Sequence, residues 1–376
     1  MKPKVIAFYL PQFHRIPEND KWWGKGFTEW VSVKNAKPLF PLHYQPRLPA
    51  HDNYYNLLDQ ETMQWQAKLA RKAGIYGFCM YHYWFGNDKL LLEKPAENLL
   101  KWTDIDINYC FSWANESWIY SWSKYKGGAW LYTNVKGDAD TEQGLLVKQE
   151  YGDKNEWKRH FEYLLPFFKD KRYMKKDNKP VFVIYKPENM KPIKEMVKYW
   201  NLLAQEQGFA GIYFIGTNDT RWKTRNMDAG MIYEPGYSLH ENANHIARAK
   251  KINAVLKKIN IKIPCIYFYD NFWKRMLSRQ NKKGMYYGGL VDFDNTPRRG
   301  GKGYALWGMT PYKFGKYFRC MYRKAMDRGD EYIFLNAWNE WGEGAYLEPD
   351  SKYGVRCLQE LRRGLIQCAN ANMKQD

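Results

Sequence analysis

The sequence lacks a long apolar run and the cysteine or histidine patterns that are typical of metal sites. No stretch reaches the roughly 18 apolar residues that a membrane-spanning helix needs. The six cysteines are scattered singly without a CxxC pair, and the seven histidines form no HExxH motif. We therefore expect no transmembrane segment, no metal and no other cofactor, and the cysteines indicate core residues in a reducing compartment.

A secretory signal is also missing from the amino-terminal residues. The segment MKPKVIAFYLPQFH enters a strand-like run at Lys4, without an apolar h-region or a small-residue cleavage site. This favours a cytoplasmic location, and export stays open for a chain from which a signal has been trimmed.

The net charge of +19 raises the question of nucleic-acid binding. The Lys and Arg residues are dispersed rather than gathered in a basic arm, and no helix-turn-helix, RRM or zinc-finger pattern occurs. We expect no specific nucleic-acid partner, only a general affinity for polyanions at low salt. An acidic polysaccharide or the phosphates of a membrane surface would suit this charge.

Apolar and β-branched runs alternate with helical patterns along the whole chain. This alternation predicts one domain over residues 1–376, a (β/α)₈ TIM barrel with long βα loops. A doubly wound open sheet is the main alternative, but no GxGxxG motif follows Leu10. The eight predicted strands are Lys4–Leu10, Ile75–Tyr81, Ile107–Trp113, Pro180–Tyr185, Ile212–Thr217, Ala229–Tyr233, Ile263–Tyr269 and Tyr332–Ala337.

Polar and aromatic residues follow nearly every predicted strand, where a barrel places its active site. The aromatic content of 18% is high, and many of these rings adjoin polar residues, as carbohydrate sites require. The loop Arg15–Asn56 is too long for an inert connection and is expected to shape the site. Our candidates for substrate contacts are Tyr9, His14, Trp23, Tyr81, His82, Trp84, Trp113, Asn115, Glu116, Glu234, Tyr237, Asn339, Trp341 and Glu348.

Several of these candidates have an ordinary structural alternative. His14 and His82 could be satisfied core histidines, and Asn115 with Glu116 could cap a loop. Glu234 could pair with a buried arginine. The tryptophans could simply cover the core.

The motif Asn339-Glu340-Trp341-Gly342-Glu343-Gly344 follows the last predicted strand. An odd offset would place Glu340 and Glu343 on opposite faces of a continued strand, but the glycines allow a turn that brings both carboxylates into one cavity. Two carboxylates beside aromatic rings are what glycosidic bond cleavage requires, one as proton donor and one as base or nucleophile. The alternative is a surface loop with solvated glutamates.

Three DxD triplets begin at Asp104, Asp138 and Asp292. In nucleotide-sugar transferases such a triplet holds a metal ion and a diphosphate. None directly follows a predicted strand, so we interpret all three as chance occurrences.

Six longer motifs together resemble the WbsX-like family, whose members are similar to glycoside hydrolase family 99 and are often encoded with O-antigen or capsule biosynthesis genes. The resemblance covers residues 4 to about 365. The motifs are WWGKGFTEW (22–30), HYQPRLP (43–49), GIYGFCMYHYWF (74–85), FSWANESW (111–118), DFDNTPRR (292–299) and NAWNEWGEGAYLEP (336–349).

This resemblance implies a metal-free barrel that cleaves α-linked glycans with retention through a 1,2-anhydro sugar. By position Glu340 would deprotonate the sugar 2-hydroxyl, and Glu343 would be the general acid and then the base. A conventional retaining pair with a covalent intermediate stays open. Gly342 departs from the histidine of family 99, so the sugar need not be the mannose or glucose of that family.

Three functions therefore compete at this point. The leading prediction is a retaining glycoside hydrolase acting on an α-linked bacterial surface or capsular oligo- or polysaccharide. The second is a glycosyltransferase or transglycosylase in O-antigen or capsule biosynthesis. The third is a non-catalytic carbohydrate-binding protein, which would not need two convergent carboxylates.

Overall fold

Eight parallel strands close into a barrel in the computed structural model, which describes residues 2–119, 145–241, 251, 255 and 263–372. Each strand pairs in parallel with its neighbours, and β1 pairs with both β2 and β8, which closes the ring. The predicted fold class is confirmed. The strands are β1 (Lys4–Tyr9), β2 (Gly77–Trp84), β3 (Asn108–Trp113), β4 (Lys179–Ile184), β5 (Tyr213–Thr217), β6 (Ala229–Met231), β7 (Met285–Leu290) and β8 (Tyr332–Asn336).

Helices connect most of these strands and cover the outside of the barrel. No helix within the described ranges is both long and apolar enough to span a bilayer. Between β5 and β6 the connection is short and carries only the 3-10 turn Trp222–Arg225. The α-helices of the described part are α1 (Pro17–Trp23), α2 (Glu29–Lys34), α3 (Gln60–Ala73), α4 (Lys94–Lys101), α5 (Lys154–Lys169), α6 (Ile193–Glu206), α7 (Gly236–Glu241), α8 (Tyr269–Ser278), α9 (Thr296–Arg299), α10 (Pro311–Arg328) and α11 (Arg356–Asn372).

Helix α10 shows how the sequence defines the ends of these elements. Thr310 caps its first turn by accepting a hydrogen bond from the backbone N–H of Lys313, and Pro311 occupies the first helical position. Gly329 ends the helix at φ 73°, a left-handed conformation that favours glycine. The helix then leads directly to β8, the strand that carries the glutamate motif.

The predicted strand Ile263–Tyr269 is present as Cys265–Phe268, but its assignment as the seventh strand of the barrel was wrong. Cys265–Phe268 lies outside the barrel and pairs in parallel with Tyr304–Trp307. The seventh barrel strand is β7, whose Gly288 packs so closely that an added Cβ would lie 1.7 Å from the carbonyl oxygen of Ile232. Glycine is required there by packing, yet it weakens the strand signal in the sequence.

Three features of the sequence lie wholly or partly outside the described residues. They are a Gly/Tyr/Trp-rich insertion that includes residues 120–144, a pattern that predicts a helix over Asn242–Lys258, and the DxD triplet at Asp138.

A pair of buried histidines lies between the barrel and its helices. His82 of β2 and His160 of α5 contact each other through their Nε2 atoms at 2.8 Å, and Trp84 stacks on His160. Burial lowers the pKa of His82 to about 3 and holds the pKa of His160 well below its ordinary value. Both rings are therefore neutral in the folded protein over a wide pH range.

This pair predicts a loss of stability in mild acid. The unfolded chain takes up protons on these histidines near pH 6.5, whereas the folded protein does not, so the contribution of this pair to the free energy of unfolding falls as the pH drops below that value. The slope is up to about 1.4 kcal/mol per pH unit for each histidine. Urea titrations from pH 7 to pH 4.5 measure it.

His160→Gln should flatten this pH dependence because it removes one of the two titrating rings. His51→Gln, a change at an exposed histidine, serves as the control and should leave the slope unchanged. Equal slopes in the wild type and in His160→Gln would contradict the interpretation.

Candidate active site

A pocket opens at the carboxyl ends of the strands and encloses about 740 Å³ when the solvent space at its mouth is included. Its walls combine tyrosines with charged groups from several βα loops. Four of the predicted site residues, Tyr81, Glu116, Glu340 and Glu343, are on its walls. The full lining is Leu10, Gln12, Tyr81, Tyr83, Ala114, Glu116, Trp118, Tyr185, Tyr233, Asn295, Arg298, Arg299, Glu340 and Glu343.

The glutamate motif folds into a tight turn after β8. Asn339–Glu340 pairs in antiparallel fashion with Ala345–Tyr346, and Trp341–Glu343 forms a 3-10 turn between them. Gly344 closes this turn at φ 61°. Because the chain reverses within four residues, Glu340 and Glu343 point into one cavity, as the sequence pattern indicates.

The guanidinium group of Arg298 binds three carboxylates at once. Its Nη1 donates to Oε1 of Glu343 at 2.8 Å, and its Nη2 donates to Oε2 of Glu340 at 3.2 Å. Its Nε donates to Oε1 of Glu29 in α2 at 2.8 Å. One buried cation thus fixes the positions of both pocket glutamates and of a third one behind them.

Gly342 leaves room for this arrangement. A Cβ at this position would lie 1.7 Å from Oε1 of Glu29 and 2.7 Å from Nε of Arg298. The carboxylate of Glu29 therefore occupies the space of a side chain at 342. This is the position at which the sequence departs from the histidine of family 99.

Burial and like charge raise the proton affinity of the pocket carboxyls. Burial, with the charges of Glu343 and Glu29, outweighs the lowering effect of Arg298 and raises the pKa of Glu340 to about 8. Burial also raises the pKa of Glu343, and Arg298 again opposes the shift. Both shifts favour the protonated form, and two carboxyls that interact in this way titrate as a pair.

Tyrosines form a further part of the pocket wall. The hydroxyl groups of Tyr81 and Tyr233 contact each other at 2.6 Å, and Tyr185 packs edge-on against Tyr233. Burial raises the pKa of Glu116, partly offset by Lys186, whose Nζ lies 3.8 Å from Oε1 of Glu116. Hydroxyl groups, a carboxyl group and ring faces of this kind suit a sugar.

A second buried network ties three loops together beneath the glutamate turn. Arg47 donates to Asp292 at 2.7 Å and to the carbonyl oxygen of Gly344 at 3.0 Å. Asp294 accepts hydrogen bonds from Gln45 and Thr296 and contacts His43 at 2.8 Å. The loops after β1, β7 and β8 are therefore held in one arrangement.

This network corrects the interpretation of one DxD triplet. Asp292 and Asp294 do directly follow a barrel strand, β7, and both carboxylates are buried and engaged by the chain itself. Asp104 and Asp106 lie on the surface instead, where Asp106 pairs with Arg71. Within the described residues, no group of three or more His, Cys, Asp or Glu side chains is arranged to hold a metal ion.

The alternation of side chains along a strand places four predicted contact residues away from the pocket. In β2, Tyr81 and Tyr83 face the pocket, whereas His82 and Trp84 face α5. Trp113 packs against His160 on the same outer side, and Tyr9 donates a hydrogen bond to Gln66 of α3. The prediction used position at a strand end but not this two-residue period.

Other predicted residues support the loops rather than line the pocket. Glu234 pairs with Arg279, the buried-arginine alternative given above. Asn115 exchanges hydrogen bonds with the backbone of Lys186, and Asn339 does the same with Leu10. His14, Trp23 and Tyr237 are also absent from the pocket walls.

Trp341 is fully buried and is not a face for stacking a sugar. Its ring stacks on Tyr346 at 3.8 Å, and its indole N–H donates to Glu348 at 2.6 Å. Glu348 also accepts hydrogen bonds from Tyr55 and Gln66. Glu348, a predicted contact residue, therefore orients the glutamate turn by holding Trp341.

Sequence reasoning missed Arg298, Arg299 and Glu29 as site residues. Both arginines lie in the quoted motif DFDNTPRR, and Glu29 lies in WWGKGFTEW. These residues reach the glutamates because two long loops meet in the folded protein. No local sequence pattern predicts that meeting. The available signal was the presence of charged residues within two of the six quoted motifs.

Comparison with known proteins identifies the family. The family description Glycosyltransferase WbsX matches residues 5–361. The chain belongs to the WbsX family. Two curated relatives called Uncharacterized protein WxcX, from two strains of Xanthomonas campestris pv. campestris, are 30% identical over 375 and 370 residues and cover 96% of the chain. This WbsX-family chain spans about half the length of these curated relatives, so a single domain over residues 1–376 stays a prediction.

Solved structures share the barrel. A GH99 endo-alpha-mannosidase from Bacteroides thetaiotaomicron superposes with a TM-score of 0.55 at 16% identity, over 98% of both chains. A structure described as Glycoside hydrolase-like protein superposes with a TM-score of 0.55 at 13% identity, over 97% of this chain and 94% of that one. At these identities the likeness shows the fold.

The close approach of Glu29 to Gly342 yields a testable prediction. In Gly342→Ala the new methyl group must displace Glu29 from Arg298, so we expect the free energy of unfolding to fall by about 1–3 kcal/mol. In a Glu29→Ala background the clash with the carboxylate is gone and only the 2.7 Å approach to Nε of Arg298 is left, so the same substitution should cost clearly less. Urea denaturation of the four proteins of this double-mutant cycle measures the coupling. An equal cost in both backgrounds would show that Glu29 does not fill the site at 342.

Proposed function

We propose that the protein is a retaining glycoside hydrolase that cleaves an α-linked bacterial surface or capsular glycan. The observation that carries this proposal is the convergence of Glu340 and Glu343 on one guanidinium group at a pocket lined by tyrosines. One retained proton on two carboxyls supplies one acid and one base, the pair that glycosidic cleavage needs. The fold shared with a GH99 endo-alpha-mannosidase supports the same class.

In the proposed reaction, Glu340 accepts the proton of the sugar 2-hydroxyl while O2 bonds to the anomeric carbon. The glycosidic bond breaks, and Glu343 donates its proton to the departing oxygen. Glu343 then takes a proton from water as that water attacks the anomeric carbon, and Glu340 returns its proton to O2. Two inversions at the anomeric carbon give net retention.

Before substrate binds, the contacts favour the proton on Glu340, whereas the proposed reaction needs it on Glu343. Glu340 has the longer contact to Arg298 and a pKa raised to about 8, which favours the proton on Glu340 before substrate binds. Only one proton needs to be redistributed between the pair when a sugar enters. The total count is already correct for catalysis.

A glycosyltransferase is the second candidate, and the name of the family model favours it. A metal-dependent transferase would need free carboxylates to hold the diphosphate through a cation. Among the described residues, the DxD triplet that lies beside the site is engaged by Arg47 and His43, and this weighs against such a mechanism. A transglycosylase would use the same pair of glutamates with a sugar acceptor in place of water.

Incubation with oligosaccharides from the surface glycan of the encoding organism tests the proposal by mass spectrometry. We expect shortened products with the wild type and a loss of at least about 100-fold in rate with Glu343→Gln, because the proton donor is removed. Glu162→Gln, at an exposed site on α5, is the matched control. Lengthening of the glycan only after addition of an activated sugar donor would overturn the hydrolase in favour of the transferase. If the wild type and Glu343→Gln both bind the glycan and neither cleaves it, the protein is a carbohydrate-binding protein.

The stereochemical course gives a second test. ¹H NMR of the first product should show the α-anomer before mutarotation, since the proposed path retains configuration. An initial β-anomer would indicate single displacement by water and would remove both the anhydro and the covalent alternatives.

A further inference from the structure

Three buried carboxyl groups surround one arginine at the floor of the pocket. Glu29, Glu340 and Glu343 all contact Arg298, and Arg298 is held mostly out of solvent with its side chain 15% exposed. If all three carboxyls were ionised, two negative charges of the cluster would stay unbalanced by its single cation. Water cannot compensate well for that excess in a buried site.

Glu29 competes with the pocket pair for the charge of Arg298. It takes the Nε edge of the guanidinium at 2.8 Å, the same distance as Glu343 at Nη1, and leaves Glu340 at 3.2 Å. Glu29 is itself only 3% exposed and does not line the pocket. Its influence on the site therefore passes through Arg298.

Other charged and titratable groups around the pair act in known directions. Arg299, also on α9, adds a positive charge that acts on Glu343. Tyr81 and Tyr83 of β2 lie near Glu340, and their pKa values are raised far above neutrality by burial and by that glutamate. Near pH 7 these phenols stay uncharged, so the balance rests on the three glutamates and the two arginines.

We propose that Glu29 and Arg298 are a positioning pair that keeps one proton on the Glu340–Glu343 pair near neutral pH. Arg298 orients the carboxyls of Glu340 and Glu343. Glu29 competes with them for the positive charge of Arg298, so Glu340 and Glu343 cannot both ionise. This extends the proposed function, because an acid and a base are then present together before substrate arrives. Gly342 is part of this arrangement, since only glycine at that position leaves room for the carboxylate of Glu29.

Titration of the glutamate side-chain carboxyls by ¹³C NMR tests this proposal without any substrate. The signals of the pair are assigned from Glu340→Gln and Glu343→Gln. In Glu29→Gln the upper titration step of the pair should fall by about one pH unit or more, because a negative charge is lost and Arg298 is released. In Arg298→Gln the same step should rise by a similar amount, because the cation is lost.

Shifts of the titration step in opposite directions in Glu29→Gln and Arg298→Gln distinguish a positioning pair from a pair with only a structural role. Structural damage would shift both variants in the same direction or leave the titration in place while lowering stability. Glu162→Gln removes a remote surface glutamate and should not move the step. Should Arg298→Gln fail to fold, the Glu29→Gln arm alone decides, and an unchanged or raised step there overturns the proposal.

The result is independent of the glycan assay. Opposed shifts in a protein that cleaves no glycan would uphold the positioning pair and overturn the hydrolase. Glycan cleavage with unshifted titrations would do the reverse. If the positioning pair and the hydrolase are both upheld, the alkaline limb of the pH–activity profile should shift by the same number of pH units as the NMR titration step.

Discussion

The attachment of three carboxylates to Arg298 is the interaction on which the site depends. A buried guanidinium can serve several acceptors because its donors point outward in a fixed plane. Here that plane joins α2, α9 and the turn after β8, three elements that are far apart in sequence. The removal of Arg298 would leave the buried carboxylates without their shared cation, a loss that costs more than the interaction itself stabilises.

The rest of the upper barrel holds that cluster in place. Arg47 joins the first long loop to Asp292 and to the carbonyl of Gly344, so the backbone of the glutamate turn is also fixed at Gly344. Glu348 fixes Trp341 from a third direction. Both carboxylates therefore sit on a turn whose backbone and neighbouring ring are each held by buried partners, as a preorganised site requires.

The sequence was informative where chemistry repeats locally and uninformative where it depends on distant segments. Strand runs and the spacing of Glu340 and Glu343 predicted the barrel and the position of the pocket. The seventh strand was misplaced because Gly288 serves packing rather than strand propensity, and His82 was misplaced because its neighbours, not its position at a strand end, decide which way it faces. Arg298 could not be found in this way, since its partners lie 269 and about 40 residues away along the chain.

The tyrosine wall has a consequence for how such a site can change. Tyr81, Tyr185 and Tyr233 come from or directly follow β2, β4 and β6, whereas the charged cluster comes from the loops of β1, β7 and β8. Under the proposed function, the residues that recognise the sugar and those that cleave the bond therefore come from different strands of the barrel. Substitutions among these tyrosines can then change which sugar is accepted while the glutamates and Arg298 stay as they are.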